Sequence, residues 1–288
     1  MLGLGSSLVG GVVIGGFPCL KLDGTDDYIN IAHHADLKPT SAMTVAAWVN
    51  LDTVHGATGW LNPDGDDDHA EVIMGSVAVG GYLLRITYAG TANNPTTKIE
   101  STIKVTDTGS SSAGYVTPSW GGVTSTTGST TLHEIKDFSG WVHIACTWRA
   151  GVAILYINGS SDLNDGAVDT SNDQTVNTGV SSGNDIVYAY NTHVMIGADA
   201  AANTSNVGGE FLIGGLVSEV AIWSAAAGAA NILEMYNSGI PGLNLLVNSG
   251  DYTNSANLKG YWKLDGDADD SKASHDGNLN NSPSFVEI

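Results

Sequence analysis

Four carboxylates near the C-terminal end of the chain are spaced for a hard cation. Asp265, Asp267, Asp269 and Asp276, in the run DGDADDSKASHD, fall at positions 1, 3, 5 and 12 of a calcium-loop template whose alternate side-chain oxygens converge on one ion. Two features depart from it: position 6, which wants Gly for a sharp turn, is Asp270, and position 12 is Asp276 where a bidentate Glu is expected. Aspartate tolerates left-handed backbone better than most residues, so calcium stands as the candidate cofactor, beside the plainer reading of a solvated turn. A second acidic run, Asp64, Asp66, Asp67, Asp68 and Glu71, either shares a cation or forms a charged, solvated loop. Trp60 beside it and Trp120 in PSWGGV are candidates for stacking on a sugar ring, the alternative for each being a plug at the rim of the core. The ligand-binding candidates are therefore Trp60, Asp64, Asp66, Asp68 and Trp120, and the metal candidates are Asp265, Asp267, Asp269 and Asp276.

Signatures of catalysis are missing. The histidines form no H-E-x-x-H pair or other close ligand spacing, and neither a G-x-S-x-G elbow nor a phosphate-binding loop occurs. No residue is assigned a catalytic role, and a non-enzymatic protein is expected.

The elements that must position these residues are strands and turns. The chain has 37 glycines and long Ser/Thr/Asn runs, which suit turns more than helices. Its net charge of −20 repels phosphate backbones and anionic bilayers, so nucleic acid is excluded as a partner. Two cysteines, Cys19 and Cys146, permit one disulfide; buried free thiols are the expected state, because Cys146 lies on the apolar side of an alternating strand. Residues 1–17, MLGLGSSLVGGVVIGGF, lack the basic start and the cleavage site of a signal peptide and are too glycine-rich for a spanning helix. They are expected to be an apolar arm that docks on its own domain, on a copy of the chain or on another subunit.

Residues 18–288 read as one β domain with insertions near 52–71, 90–130 and 160–185. In MTVAAWVNL (43–51), Met43, Val45, Ala47, Val49 and Leu51 share one side and Thr44, Ala46, Trp48 and Asn50 the other, predicting a strand covered on both faces. EVIMGSVAVGGYLLRITYAG (71–90) predicts a second strand cluster, and the polar stretch after it is long enough to conceal a further hairpin. In WVHIACTWRAGVAILYINGS (141–160), Val142, Ile144, Cys146 and Trp148 alternate with Trp141, His143, Ala145 and Thr147. Arg149-Ala150-Gly151 then turns the chain into a partner strand ending at Asn158-Gly159. One short helix is expected near 225–237, with Ser224 as N-cap, Ile232, Leu233, Met235 and Tyr236 as its stripe, and Gly239 as C-cap. The runs KLDGTDDYIN (21–30) and KLDGDADDSK (263–272) look like two strands that each leave through an Asp-Gly turn.

In order, LKLDGTDDYINI, MTVAAWVNL, GWVHIACTWRAGVAILYING, HVMIGAD, FLIGGLVSEVAIWSAA and LKGYWKLDGDADDSKASHDGNL resemble the laminin-G and pentraxin-like branch of the concanavalin A-like lectin/glucanase superfamily. The resemblance implies an all-β fold, a jelly-roll sandwich of two antiparallel sheets. It also implies a calcium ion held between the first strand and an acid in the strand resembling FLIGGLVSEVAIW, which makes Asp26, Asp27 and Glu219 second-rank candidates, although Ser218 stands where the acidic pair usually begins. The Glu-x-Asp-x-x-Glu strand of the family's hydrolases has no counterpart: SEVAIW (218–223) carries Glu219 alone. The glycine-rich start, the YNSGIP linker (236–241) and the LKGYWKL strand (258–264) resemble the layout of virion proteins of phages. The expected function is a non-enzymatic, glycan-binding subunit at a virion surface, as head decoration or tail adhesin; the alternative is a secreted or cell-surface carbohydrate-binding module of a bacterium.

Overall fold

The computed structural model describes residues 17–51, 69–76, 81–91, 94–105, 114–116, 119–121, 140–161, 176–177, 185–188, 191–199 and 212–288. Sixteen strands in that set make two antiparallel sheets of eight. One runs β11 (Val176–Asn177), β10 (Val152–Ile157), β9 (Val142–Arg149), β3 (Ala42–Leu51), β13 (Gly214–Trp223), β1 (Pro18–Asp23) and β16 (Ser284–Glu287), with β14 (Leu258–Trp262) also paired to β13. The facing sheet runs β15 (Gly277–Asn280), β2 (Tyr28–Ile31), β12 (Val194–Ile196), β4 (His69–Gly75), β5 (Tyr82–Thr91), β6 (Asn94–Val105) and β7 (Gly114–Val116), with β8 (Ser119–Gly121) beside β6. This is the jelly-roll sandwich expected from the sequence.

The period-two patterns sort side chains into two cores. Met43, Val45, Ala47 and Val49 of β3 and Val142, Ile144, Cys146 and Trp148 of β9 point between the sheets, where they meet Ile29, Ile31, Leu84, Ile86 and Trp262. Their alternates Ala46 and Ala145 face outward into a second core with Trp223, Ile232, Met235, Tyr252 and Tyr261. Covering that outer face is the helix α1 (Ala229–Tyr236) with the irregular segment that follows it. Each large apolar side chain buried in these clusters contributes about 1.5–3 kcal/mol. Cys19 and Cys146 are indeed buried and unpaired, and burial pushes the Cys146 thiol up to about 12.

Polar pins hold the outer core. Buried Thr44 donates its hydroxyl to Ala225 O at 2.6 Å and accepts from Ala227 N at 2.8 Å, fixing the chain between β13 and α1. Trp223 Nε1 donates to Tyr252 Oη at 3.0 Å, and Tyr252 donates onward to Leu245 O at 2.8 Å.

Two local expectations are corrected and one open stretch is resolved. The helix starts later than Ser224: its N-cap is Gly228, because Ser224 is still tied to Asn257 O at 2.9 Å, and its C-cap is left-handed Asn237 rather than Gly239. Residues 94–105, inside the expected polar insertion, are strand throughout; threonine's branched Cβ favours the pleated backbone. Finally, the two KLDG runs differ in geometry: Leu22 lies within β1 before Gly24 turns at φ 72°, whereas Leu264 follows the end of β14 with φ 61°.

Candidate functional site

The chain leaves β1 through Asp23, and Gly24, at φ 72° with Gly214 backbone 3.1 Å from where a Cβ would stand, lets it double back at once. Asp23 Oδ1 accepts from Thr25 N at 2.8 Å and Asp26 N at 3.2 Å. The Thr25 hydrogen bond leads the causes that hold the Asp23 carboxyl below its ordinary value. Buried Asp27 reaches two ways, accepting from Asp23 N at 3.3 Å and from Ser282 N at 2.9 Å. Asn281 Nδ2 donates to Asp26 O, stitching the β15–β16 turn to the same corner. Together Lys21, Asp23, Asp26, Asp27, Asn281, Ser282 and Ser284 line an open polar cleft of about 450 Å³. Asp23, Asp26 and Asp27 each bring a ligand atom within 4.8 Å of the others, a hard, all-oxygen donor set of the kind calcium takes.

Glu219 lies elsewhere. Asp23 pairs with Gly214 and Glu219 is five residues further along β13, about 17 Å at strand rise. A β-bulge between Ser218 and Ala221 places Glu219 at φ 52°, which turns its side chain into the outer core, where Tyr261 Oη donates to its Oε2. Burial pushes Glu219 up to about 7. His143, also fully buried, is pushed down to about 3 by the same desolvation, and its Nδ1 has no hydrogen-bond partner among the described residues. These two and Ala46, Trp48, Trp223, Met235, Leu243 and Leu245 line a cavity of about 10 Å³, room for one water. The Trp48 ring lies 5.1 Å from His143 and stacks at 5.8 Å on Tyr236.

The C-terminal aspartates take different tasks. Asp270, which breaks the calcium-loop template at position 6, is the buried one: its carboxylate accepts from Tyr261 N and Lys272 N at 2.9 Å and from His275 N at 3.3 Å. Asp276 Oδ1 accepts from Asp270 N at 3.0 Å and Asp267 Oδ1 from Asp269 N at 3.1 Å. Asp265, Asp267 and Asp269 are exposed, and Asp267 followed by Asp276 raises the Asp269 carboxyl by repulsion. Among the described residues, only Asp23–Asp26–Asp27 and His34–Asp36–His275 bring three ligand atoms within 4.8 Å; Asp265, Asp267, Asp269 and Asp276 do not form such a group. Trp120 sits in β8 opposite Ile99 of β6. Trp60, Asp64, Asp66, Asp67 and Asp68 lie outside the described residues, as do residues 1–16 of the expected arm 1–17. No described helix is long and apolar enough to cross a membrane.

Sequence reasoning did not assemble the first cleft, because Asn281, Ser282 and Ser284 arrive from the far end of the chain. The signal available was the D-G-x-D-D spacing of residues 23–27.

Comparison with solved structures gives the same architecture. A protein from Bacteroides ovatus ATCC 8483, named for a proposed carbohydrate-binding role, superposes with a TM-score of 0.53 at 17% identity, over 96% of this chain and 61% of its own. This chain thus spans less than two thirds of that protein. The heptameric SAP-like pentraxin of Limulus polyphemus superposes with a TM-score of 0.50 at 11% identity, covering 94% of both chains. No curated protein matches the chain in sequence. The family model of the concanavalin A-like lectin/glucanases superfamily, Laminin_G_3, matches residues 23–233, from the acidic corner through the bulged strand to α1, and the chain belongs to that family.

Proposed function

We propose that this chain is a non-catalytic, glycan-binding β-sandwich subunit that recognises its saccharide at the cleft formed by Lys21, Asp23, Asp26, Asp27, Asn281, Ser282 and Ser284. The observation that carries the reading is that cleft on a lectin-type sandwich: its carboxylates, amide and hydroxyls match the hydrogen-bonding needs of sugar hydroxyls. Asp23, Asp26 and Asp27 would hold a calcium ion there, and the ion would supply coordination positions for vicinal hydroxyls. Glu219, which burial pushes up to about 7, into the range of a glycosidase's general acid, faces a cavity too small for a sugar ring, which supports a non-catalytic role.

The setting we propose is a virion surface, supported by the glycine-rich apolar residues 1–17 and a chain with only 10 Lys and Arg and a net charge of −20. The test of recognition is retention of the purified chain on a polysaccharide and oligosaccharide panel with millimolar calcium. Binding that weakens in chelator and in Asp27→Asn is expected; failure to retain any glycan overturns the reading. The test of setting is deletion of residues 2–17, expected to abolish assembly into particles or oligomers while the sandwich stays folded. A deleted chain that still assembles, or native material that is a free monomer, overturns it.

A further inference from the structure

Two histidines and an aspartate converge at a rim that the glycan reading does not use. His34 caps a single 3-10 turn, Ala35–Leu37, and its Nδ1 accepts from Asp36 N at 3.2 Å. That turn is anchored by the buried Leu37 side chain and by Tyr82 Oη donating to Leu37 O at 3.2 Å. His275 arrives from the other end of the sequence with its backbone held twice. Its N–H donates to the buried Asp270 carboxylate, and its carbonyl accepts from Trp262 Nε1 at 2.9 Å. The two imidazoles lie 4.2 Å apart between centroids, and Asp36 Oδ2 is 3.6 Å from His34 Nδ1. One ligand atom from each of His34, Asp36 and His275 lies within 4.8 Å of the other two.

A second observation points to a ligand. His275 Nε2 is buried and has no hydrogen-bond partner among the described residues. A buried polar atom left in that state costs about 1–3 kcal/mol, which an ordered water or a bound ion relieves.

We propose that His34, Asp36 and His275 form a binding site for a divalent transition-metal ion, with Zn²⁺ the ion the donors fit. Two imidazole nitrogens and one carboxylate oxygen are borderline donors that select Zn²⁺ and its neighbours, whereas calcium takes oxygen alone. Three protein ligands leave a fourth position for water or an external ligand. His34 and Asp36 have half-exposed side chains, so they close on an ion by rotamer changes that leave the core untouched, against a His275 fixed by its backbone. The bound ion ties the β2–β3 connection to the loop after β14, two segments that meet here through the His34 and His275 rings. The site is independent of the glycan cleft, so either assignment can fail without the other.

The test uses the untagged full chain, stripped with chelator and titrated with Zn²⁺ or Ca²⁺ while Tm is followed. A saturable rise in Tm with Zn²⁺ and none with the same concentration of Ca²⁺ is expected, because an ion that binds only the native state raises its stability. The rise should vanish in His275→Ala and in Asp36→Asn and persist in His33→Ala. Co²⁺ should give visible d–d absorption that both ligand variants lose. Should His275→Ala fail to fold by circular dichroism, the exposed Asp36→Asn decides the matter. Absence of a Zn²⁺ effect, or an effect unchanged in Asp36→Asn, overturns the proposal.

Discussion

Replacing Glu219 by Gln should make the protein more stable at pH 8 while changing little at pH 4.5. In the native state the carboxyl titrates at about 7, against 4.5 for the exposed group, because burial beneath α1 penalises its charge. A group whose native pKa is raised keeps its full contribution below the unfolded value and loses it as pH rises to the native one. With 1.36 kcal/mol for each pH unit, ionising Glu219 in place costs about 3 kcal/mol, all of it incurred by pH 8. His143 acts in the opposite direction. Its native value of about 3 lies below the ordinary 6.5, so its contribution is complete above pH 6.5 and about 5 kcal/mol is lost as pH falls to 3. Between pH 4.5 and 6.5 the two slopes cancel, and the wild-type curve should be flat on their account. In Glu219→Gln only the His143 slope survives, so stability should climb across that interval. The assay is urea unfolding followed by tryptophan fluorescence, since Trp48 and Trp223 line the same cavity. The amide brings two donors beside Leu243 O, which already accepts from Tyr261 Oη at 3.3 Å, and any cost of placing them is the same at both pH values. The quantity to compare is therefore the variant's advantage at pH 8 minus that at pH 4.5, expected at about 3 kcal/mol. A difference below about 1 kcal/mol would mean that Glu219 ionises in the native protein at little cost, and the reasoning from burial would be wrong.

Thr44→Val keeps shape but strands the Ala225 carbonyl and the Ala227 amide, so a loss of about 2–4 kcal/mol is expected in the same unfolding assay. Asp270→Ala removes one acceptor from three backbone N–H groups and should cost about 3 kcal/mol or more, with hydrogen exchange at Tyr261, Lys272 and His275 accelerating together. The thiols of Cys19 and Cys146 should react with a disulfide reagent only after denaturation, two per chain, since both are buried and unpaired.

The sandwich was legible because its strands obey parity. Alternation in residues 43–51 and 142–148 separates the inter-sheet core from the outer core without error, since each successive side chain of an unbroken strand changes face. Glu219 was illegible for the complementary reason. The bulge inserts one extra residue between the Ser218–Trp48 and Ala221–Ala46 pairs, so Val217, Val220 and Ile222 face inward although their spacing violates period two. In the acidic loop, pattern matching weighed Asp270 as a defect in a metal template, whereas its carboxylate is what the surrounding backbone folds around. The shared KLDG letters misled for a related reason: four residues do not fix their own dihedrals, and pairing to β13 holds Leu22 extended while Leu264 has left its strand. The His34–Asp36–His275 cluster and the Asp23–Ser282 corner depend on the two ends of the chain meeting, which no local window contains.

Strand β1 lies between β13 on one side and β16 on the other, with Leu20 opposite Val217 and also opposite Phe285. Phe17 and Ile288 exchange backbone hydrogen bonds at 2.7 and 3.3 Å just beyond that pairing. A ribosome therefore delivers β1 long before its outer neighbour β16 exists. That edge of β1 must wait, unpaired, until residues 284–287 have been made. Pairing over so great a sequence separation is slow and exposes strand edges to other nascent chains. The cell making this protein has reason to guard that edge until β16 has paired with it, and a product truncated before β16 should be an aggregation hazard rather than a smaller folded domain.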